Sequence, residues 1–286
     1  MREMIKKILP QDARNNIRPY LYFMQRSLVK PMAPIRQCGC LPEFLIIGAQ
    51  KAGTTTLYDV ITQHPEIHSA RTKELAFFDR HYGRGMAWYK ANFPRAVGIT
   101  GEATPDYIVD PAVPDRVKAA LPDAKFVVLL RNPVDRAISH YFHAVRLGYE
   151  KRSIEDALSV ENIPDPSSAT RFVGHSLERR SAYQAFSYLD RGCYSKQLAT
   201  WFELFEPEQF HIAFSEDFFA DPVPVVRGVL SFLEVPTGWD FDVRPKNIGT
   251  YGNKVPAELY EQLGRFYADD RRDLEELLGR SAPWPS

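Results

Sequence analysis

The stretch Phe44–Pro65 reads FLIIGAQKAGTTTLYDVITQHP. Its first four residues are a continuous apolar run, the pattern of a strand buried on both faces. Thr54 to Gln63 carries Leu57, Tyr58 and Ile61 at helical spacing and ends near Pro65. Between them, Gly48-Ala-Gln-Lys-Ala-Gly53-Thr54-Thr55 keeps the glycine spacing of the phosphate-binding loop G-x-x-x-x-G-K-[ST]. Backbone amides of such a loop, backed by a helix N-terminus, make an anion site. The lysine is displaced, however. In the triphosphate-binding loop it follows the second glycine; here Thr54 stands there and Lys51 lies on the crown. A cation on the crown faces the far end of a short phosphate chain, at the bond being broken.

A second strand-to-helix unit follows. Lys125–Leu130 (KFVVLL) reads as a strand, Asn132 as an N-cap and Pro133 as a first helical residue. Ala137, Ile138, Tyr141, Phe142 and Val145 then supply an apolar helix face. Triphosphate enzymes usually end a later strand in an aspartate that holds Mg²⁺. This strand ends in Arg131, whose fixed fork of donors suits a second phosphate. Ser139, two helical turns further on, is placed to reach the same phosphate. Two phosphate sites are therefore expected, with no metal-ligand pair between them.

Outside these units, Ser153–Asp156 resembles a capping box before a short helix. Tyr194–Phe205 and Pro222–Leu233 read as helices, Phe210–Phe214 as a strand, and Pro256–Leu278 as a helix with a break at Ala268-Asp269-Asp270. Alternating strands and helices predict an α/β, P-loop-type three-layer fold with a central parallel sheet flanked by helices. Ligands then belong at the carboxyl ends of the strands.

The chain has 286 residues, 44% hydrophobic and 25% charged, enough for an ordinary globular core. Zero net charge gives no reason to expect a nucleic-acid partner. Residues 1–36 nevertheless carry eight basic side chains against two acidic ones, a net +6. Pro31–Pro42 reads as a linker, so residues 1–42 are expected to form a basic N-terminal arm and linker and residues 43–286 a single domain. Within the arm, Ile17–Lys30 (IRPYLYFMQRSLVK) fits a helix packed on its own domain, or peripheral membrane contact. Three cysteines are too few for a disulfide framework, and no signal peptide or membrane span is visible. The expectation is a cytoplasmic protein, with membrane association as the alternative.

FLIIGAQKAGTTTLY, KELAFFD, GEATPDY and VVLLRNPVDRAISHY, in this order, resemble the sulfotransferases that use 3′-phosphoadenosine 5′-phosphosulfate (PAPS). The likeness is to the branch of heparan sulfate sulfotransferase domains and their bacterial relatives, and it runs from about Phe44 to the C-terminus. The resemblance implies that Lys51, Ala52, Gly53, Thr54, Thr55 and Thr56 bind the 5′-phosphosulfate, and that Arg131 and Ser139 bind the 3′-phosphate. It implies that Lys51 stabilises charge on the leaving phosphate oxygen. It implies that Glu74 is the general base toward an acceptor hydroxyl or amine, a task a carboxylate suits when burial raises its pKa. Lys254, in Gly249–Lys254, falls where the family closes a loop over the donor. The product would be 3′-phosphoadenosine 5′-phosphate (PAP), with no metal required.

Glu102 and His143 are acceptor-site candidates from their positions; each also has a plain structural reading. Ala103 and Ala76 stand where heparan enzymes commonly carry lysine and some relatives carry histidine. Both changes remove groups that grip a polyanionic chain. A less charged sugar, a glycolipid or a small hydroxyl compound fits as acceptor equally well. Two other readings stay open: a P-loop kinase or NTPase, and a non-catalytic nucleotide-binding protein of the same fold.

Overall fold

The computed structural model describes residues 39–94, 97–162, 187–244 and 255–285. In chain order, β1 (Phe44–Gly48) leads into α1 (Thr54–Ile61) and β2 (Ile67–Ser69). A helical turn at Phe77–His81, then α2 (Gly85–Lys90), β3 (Ile99–Ala103), α3 (Val113–Ala120) and β4 (Lys125–Leu130) follow. The rest is α4 (Pro133–Leu147), α5 (Ile154–Ala157), α6 (Tyr194–Phe202), β5 (Phe210–Phe214), α7 (Ser215–Ala220), α8 (Pro222–Phe232) and α9 (Ala257–Leu278).

The five strands form one sheet in the order β2-β3-β1-β4-β5, every pairing parallel. All five residues of β1, and all of β4 after Lys125, are buried. That explains their unbroken apolar runs: helices cover both faces, and each buried Leu, Ile or Phe contributes about 1.5–3 kcal/mol. β1 is the central strand. The chain leaves it first toward β3 and β2, and only later returns to β4 and β5 on its other side. The loops after β1 and β4 therefore open a crevice where the strand order reverses, the usual ligand position in open α/β sheets.

Local chemistry sets the helix starts. The Asn132 side chain accepts hydrogen bonds from the backbone N–H groups of Val134 (2.9 Å) and Asp135 (3.4 Å), with Pro133 next in the chain. Asn132→Ala should cost about 1 kcal/mol, read as a fall of about 2–4 °C in Tm. Ser153 caps α5 through the Asp156 N–H at 3.1 Å. α9 runs unbroken from Ala257, which corrects the expected break at residues 268–270. The reason is partnership. Arg272 pairs with Asp269 and Arg271 with Glu275 along the helix, while Asp270 turns inward to accept the Ser195 hydroxyl. α6 ends at Phe202, short of the expected Phe205; Phe205 still packs on Phe126 with ring centroids 4.6 Å apart. β2 is only three residues long, and nothing in its local pattern marks it.

Candidate donor and transfer site

The loop after β1 is held from three sides. The Ala49 N–H donates to the Leu129 carbonyl on β4 at 2.8 Å. The Ser215 hydroxyl donates to the Ala52 carbonyl at 2.7 Å, which turns the Gly53 N–H the opposite way. An Arg131 Nη1–H donates to the Lys51 carbonyl at 3.1 Å. Gly53 is the N-cap of α1, with φ +100°, and no side chain caps the helix. The N-terminus of α1 thus opens directly on the loop, with no side chain interposed. A Cβ on Gly53 would sit 2.7 Å from the Phe219 ring, so both space and backbone demand glycine there. Thr54 and Thr56 are buried, and Thr55 is the half-buried hydroxyl of the turn.

Lys51 adopts φ +73°, in the left-handed region a lysine rarely visits. Its ammonium is pushed down to about 8, first by burial and then by Arg146, Arg131 and Arg136. Among the described residues, none of these four cations has a carboxylate within ion-pair distance. Positive charge gathered around a glycine loop is a fit for a polyanion.

Arg131 is fixed from behind. The Tyr194 hydroxyl donates to its carbonyl at 2.9 Å, and the next amide, Asn132 N–H, donates to Glu216 at 2.8 Å. Ser139 is 3% exposed, on the face of α4 that also carries Arg136, His140 and His143 at helical spacing. An Arg146 Nη2–H donates to His143 Nδ1 at 2.9 Å. Arg136 and Arg146 are two further cations in the surroundings of Lys51 that sequence reasoning passed over. Their helical spacing with Ser139 and His143 was the available signal.

Glu74 lies on the opposite lip. Its N–H donates to the Ala103 carbonyl at the end of β3, at 3.1 Å, and its φ is +58°. Lys73 links it to the loop: the ammonium donates to Thr55 Oγ1 at 2.7 Å and to Glu74 Oε1 at 3.2 Å. The structure therefore joins Arg131 to the backbone of Lys51, and joins Glu74 through Lys73 to Thr55 of the same loop. Glu102 is placed differently. It has no exposure and accepts from Tyr89 (2.7 Å), Thr104 (2.8 Å) and Tyr107 (2.9 Å), whose hydroxyls only partly offset the burial that pushes its carboxyl up to about 7. It does not line an open acceptor surface. Lys254 lies outside the described residues, as do the N-terminal arm and the loop around Pro164–Ser168.

Comparisons with known proteins agree with this geometry. A family model described as "Sulfotransferase domain" matches residues 41–247. The chain is 31% identical to the human heparan sulfate glucosamine 3-O-sulfotransferase 6, over 85% of this chain and 73% of that protein. It is 25% identical to the membrane-associated sulfotransferase kil1 of Dictyostelium discoideum, over 86% of this chain and 67% of that one. Among solved structures, a sulfotransferase from Alicyclobacillus acidocaldarius superposes with a TM-score of 0.71 at 30% identity, covering 85% of this chain and 98% of that one.

Proposed function

The chain belongs to the sulfotransferase family and is an enzyme of sulfuryl transfer, and we propose that its donor is PAPS and its acceptor a hydroxyl or amine of a glycan, glycolipid or small molecule. One observation carries the donor reading: the guanidinium of Arg131, from the end of β4, meets the crown of the β1 loop at the Lys51 carbonyl. A ligand in the crevice is thereby offered a loop for one phosphate and an arginine fork for another. That is the pattern of a 3′,5′-bisphosphorylated adenosine.

The residues divide the work. Ala52, Gly53, Thr54, Thr55 and Thr56, in the loop and the first turn of α1, hold the 5′-phosphate end. Arg131 and Ser139 hold the 3′-phosphate, with Lys254 as a contact from the closing segment. Lys51 neutralises charge on the bridging oxygen as the sulfuryl group departs in line. Glu74 accepts the acceptor's proton, and Lys73 keeps its carboxylate directed at the loop. No metal enters the scheme. His143 is assigned to the acceptor side and Glu102, given its burial, to a supporting role. Residues 43–286 act as a single domain in this reading, and the basic arm, residues 1–42, leaves peripheral membrane contact open beside a cytoplasmic location. Among the described residues no helix is long and apolar enough to cross a membrane.

Calorimetric titration tests the donor. PAP should bind without metal, and Arg131→Ala should weaken PAP by about tenfold or more, and by more than it weakens adenosine 5′-phosphate. Preference for ATP with Mg²⁺ over PAP would replace this reading with a kinase. Labelled PAPS offered to fractionated glycans, glycolipids and small hydroxyl compounds would then name the acceptor class.

A further inference from the structure

We propose that Glu102 is a positioning residue of the transfer reaction, anchoring through Thr104 and Tyr107 the segment that presents Glu74. This rests on the reading of Glu74 as the base. The geometry is a set of relays with one direction. The Ala76 N–H donates to Thr104 Oγ1 at 3.3 Å, and that hydroxyl donates on to Glu102 Oε2 at 2.8 Å. The N–H groups of Phe77 and Phe78 donate to the Tyr107 hydroxyl at 2.8 and 3.3 Å, and that hydroxyl donates to Glu102 Oε1 at 2.9 Å. Three successive amides, beginning two residues after Glu74, thus drain into one carboxylate. Tyr89 adds a third hydroxyl donor at 2.7 Å.

The polarity explains the choice of residue. Each hydroxyl already receives a backbone N–H from the segment or has only its own proton to give, so the hub must accept from all three. An ionised carboxylate accepts only; an amide or a protonated carboxyl brings a donor. With a donor at the hub, at least one buried hydroxyl proton has no acceptor, and the segment must shift to relieve it. The segment has little intrinsic preference for its shape. Glu74 and Ala76 both hold positive φ, +58° and +51°, so outside contacts must impose it. Position in the sheet completes the case. Glu102 pairs in register with Leu45 of β1, so the hub sits on the strand beside the one that feeds the donor loop.

The hub's charge state is accessible near neutrality. Burial pushes the Glu102 carboxyl up to about 7, with Asp79 adding to the rise; the other titratable groups around it are Tyr58, Tyr89 and Tyr107. At lower pH the wild-type hub carries a proton and resembles an amide.

The test compares wild type, Glu102→Gln, Thr104→Val and Thr104→Ser, using labelled PAPS with the acceptor fraction. At pH 8, Glu102→Gln and Thr104→Val should lower kcat by about tenfold to a hundredfold with the PAP Kd within about twofold. Thr104→Ser, which keeps the hydroxyl, should restore most of the rate. The wild-type to Glu102→Gln ratio of kcat should shrink as pH falls below about 7. Amide exchange at Ala76, Phe77 and Phe78 should quicken in Glu102→Gln, a readout that needs neither donor nor acceptor. Wild-type kcat in Glu102→Gln, a parallel loss of PAP binding, a pH-independent ratio or unchanged exchange would each overturn the proposal. Failure of the wild-type protein to bind PAP would instead overturn the donor reading, and the exchange data would still decide the role of Glu102.

Discussion

Glu74→Gln should lower kcat by about 10²–10⁴-fold while PAP binds as before. The substitution keeps the size of the side chain and an oxygen that can accept from Lys73, and removes the charge of that pair and the capacity to take a proton. Glu74 is a quarter exposed or less, at 23%, so it is open to the crevice yet sheltered enough to be directed. Its backbone is tied to β3 through the Ala103 carbonyl, which makes collapse of the loop on substitution unexpected. Steady-state rates with labelled donor, beside PAP titrations, separate the two effects. A kcat within about threefold of wild type would remove Glu74 from the chemistry.

Lys51→Ala is the second large effect, about 10²–10³-fold in kcat, the usual cost of deleting one preorganised group at a developing oxyanion. This substitution should also change how binding depends on pH, and the sign follows from the lowered pKa. In the ligand-free fold Lys51 is held down to about 8, against an ordinary 10.5, by burial and three arginines. Its charged form therefore costs the fold stability at neutral pH, and that cost is relieved as pH rises from about 8 toward 10.5. A bound polyanion favours the charged form and draws the proton back. PAP affinity should thus be greatest below about pH 8 and fall above it, by up to about tenfold per pH unit. The nucleotide phosphates are already ionised there, since their second pKa is about 6. In Lys51→Ala the slope should vanish. Titrations at pH 7, 8 and 9 on both proteins decide it; an unchanged slope in the variant would place the proton elsewhere.

The two substitutions have a common structural background. Lys51 and Glu74 are both non-glycine residues at positive φ, a conformation that costs on the order of 1 kcal/mol or more each. Each is held there by contacts from another strand end: Arg131 on the Lys51 carbonyl, Ala103 on the Glu74 amide. The expense in stability is local and sits at the two groups proposed to meet the transferred sulfuryl group.

Much of this was legible in the sequence because it is local. A strand buried on both faces must read as an unbroken apolar run, and FLIIG and FVVLL do so. A helix start needs a cap, and Asn132-Pro133 supplies it within two residues. A phosphate loop needs glycines at fixed spacing, so β1, its loop and α1 could be placed from one stretch. The family motifs lie on these same segments. Where local pattern and tertiary partner competed, as at Ala268–Asp270, the partner won: Ser195 on α6 gave Asp270 a reason to stay helical.

What only the tertiary structure decided concerns pairs far apart in the chain. Lys73 meets Thr55 across 18 residues and Arg131 meets Lys51 across 80. Glu102 could be placed on a strand from its neighbours, but its burial under three hydroxyls depends on α2 and on the turn after β3. These meetings follow from the strand order, which sets the ends of β3, β1 and β4 side by side. No periodicity or cap within a segment carries that order. The glycine loop and its displaced lysine were therefore determined by sequence, while the meeting of that loop with Lys73 and Arg131, and the burial of Glu102, were set by how parallel strands align their carboxyl ends.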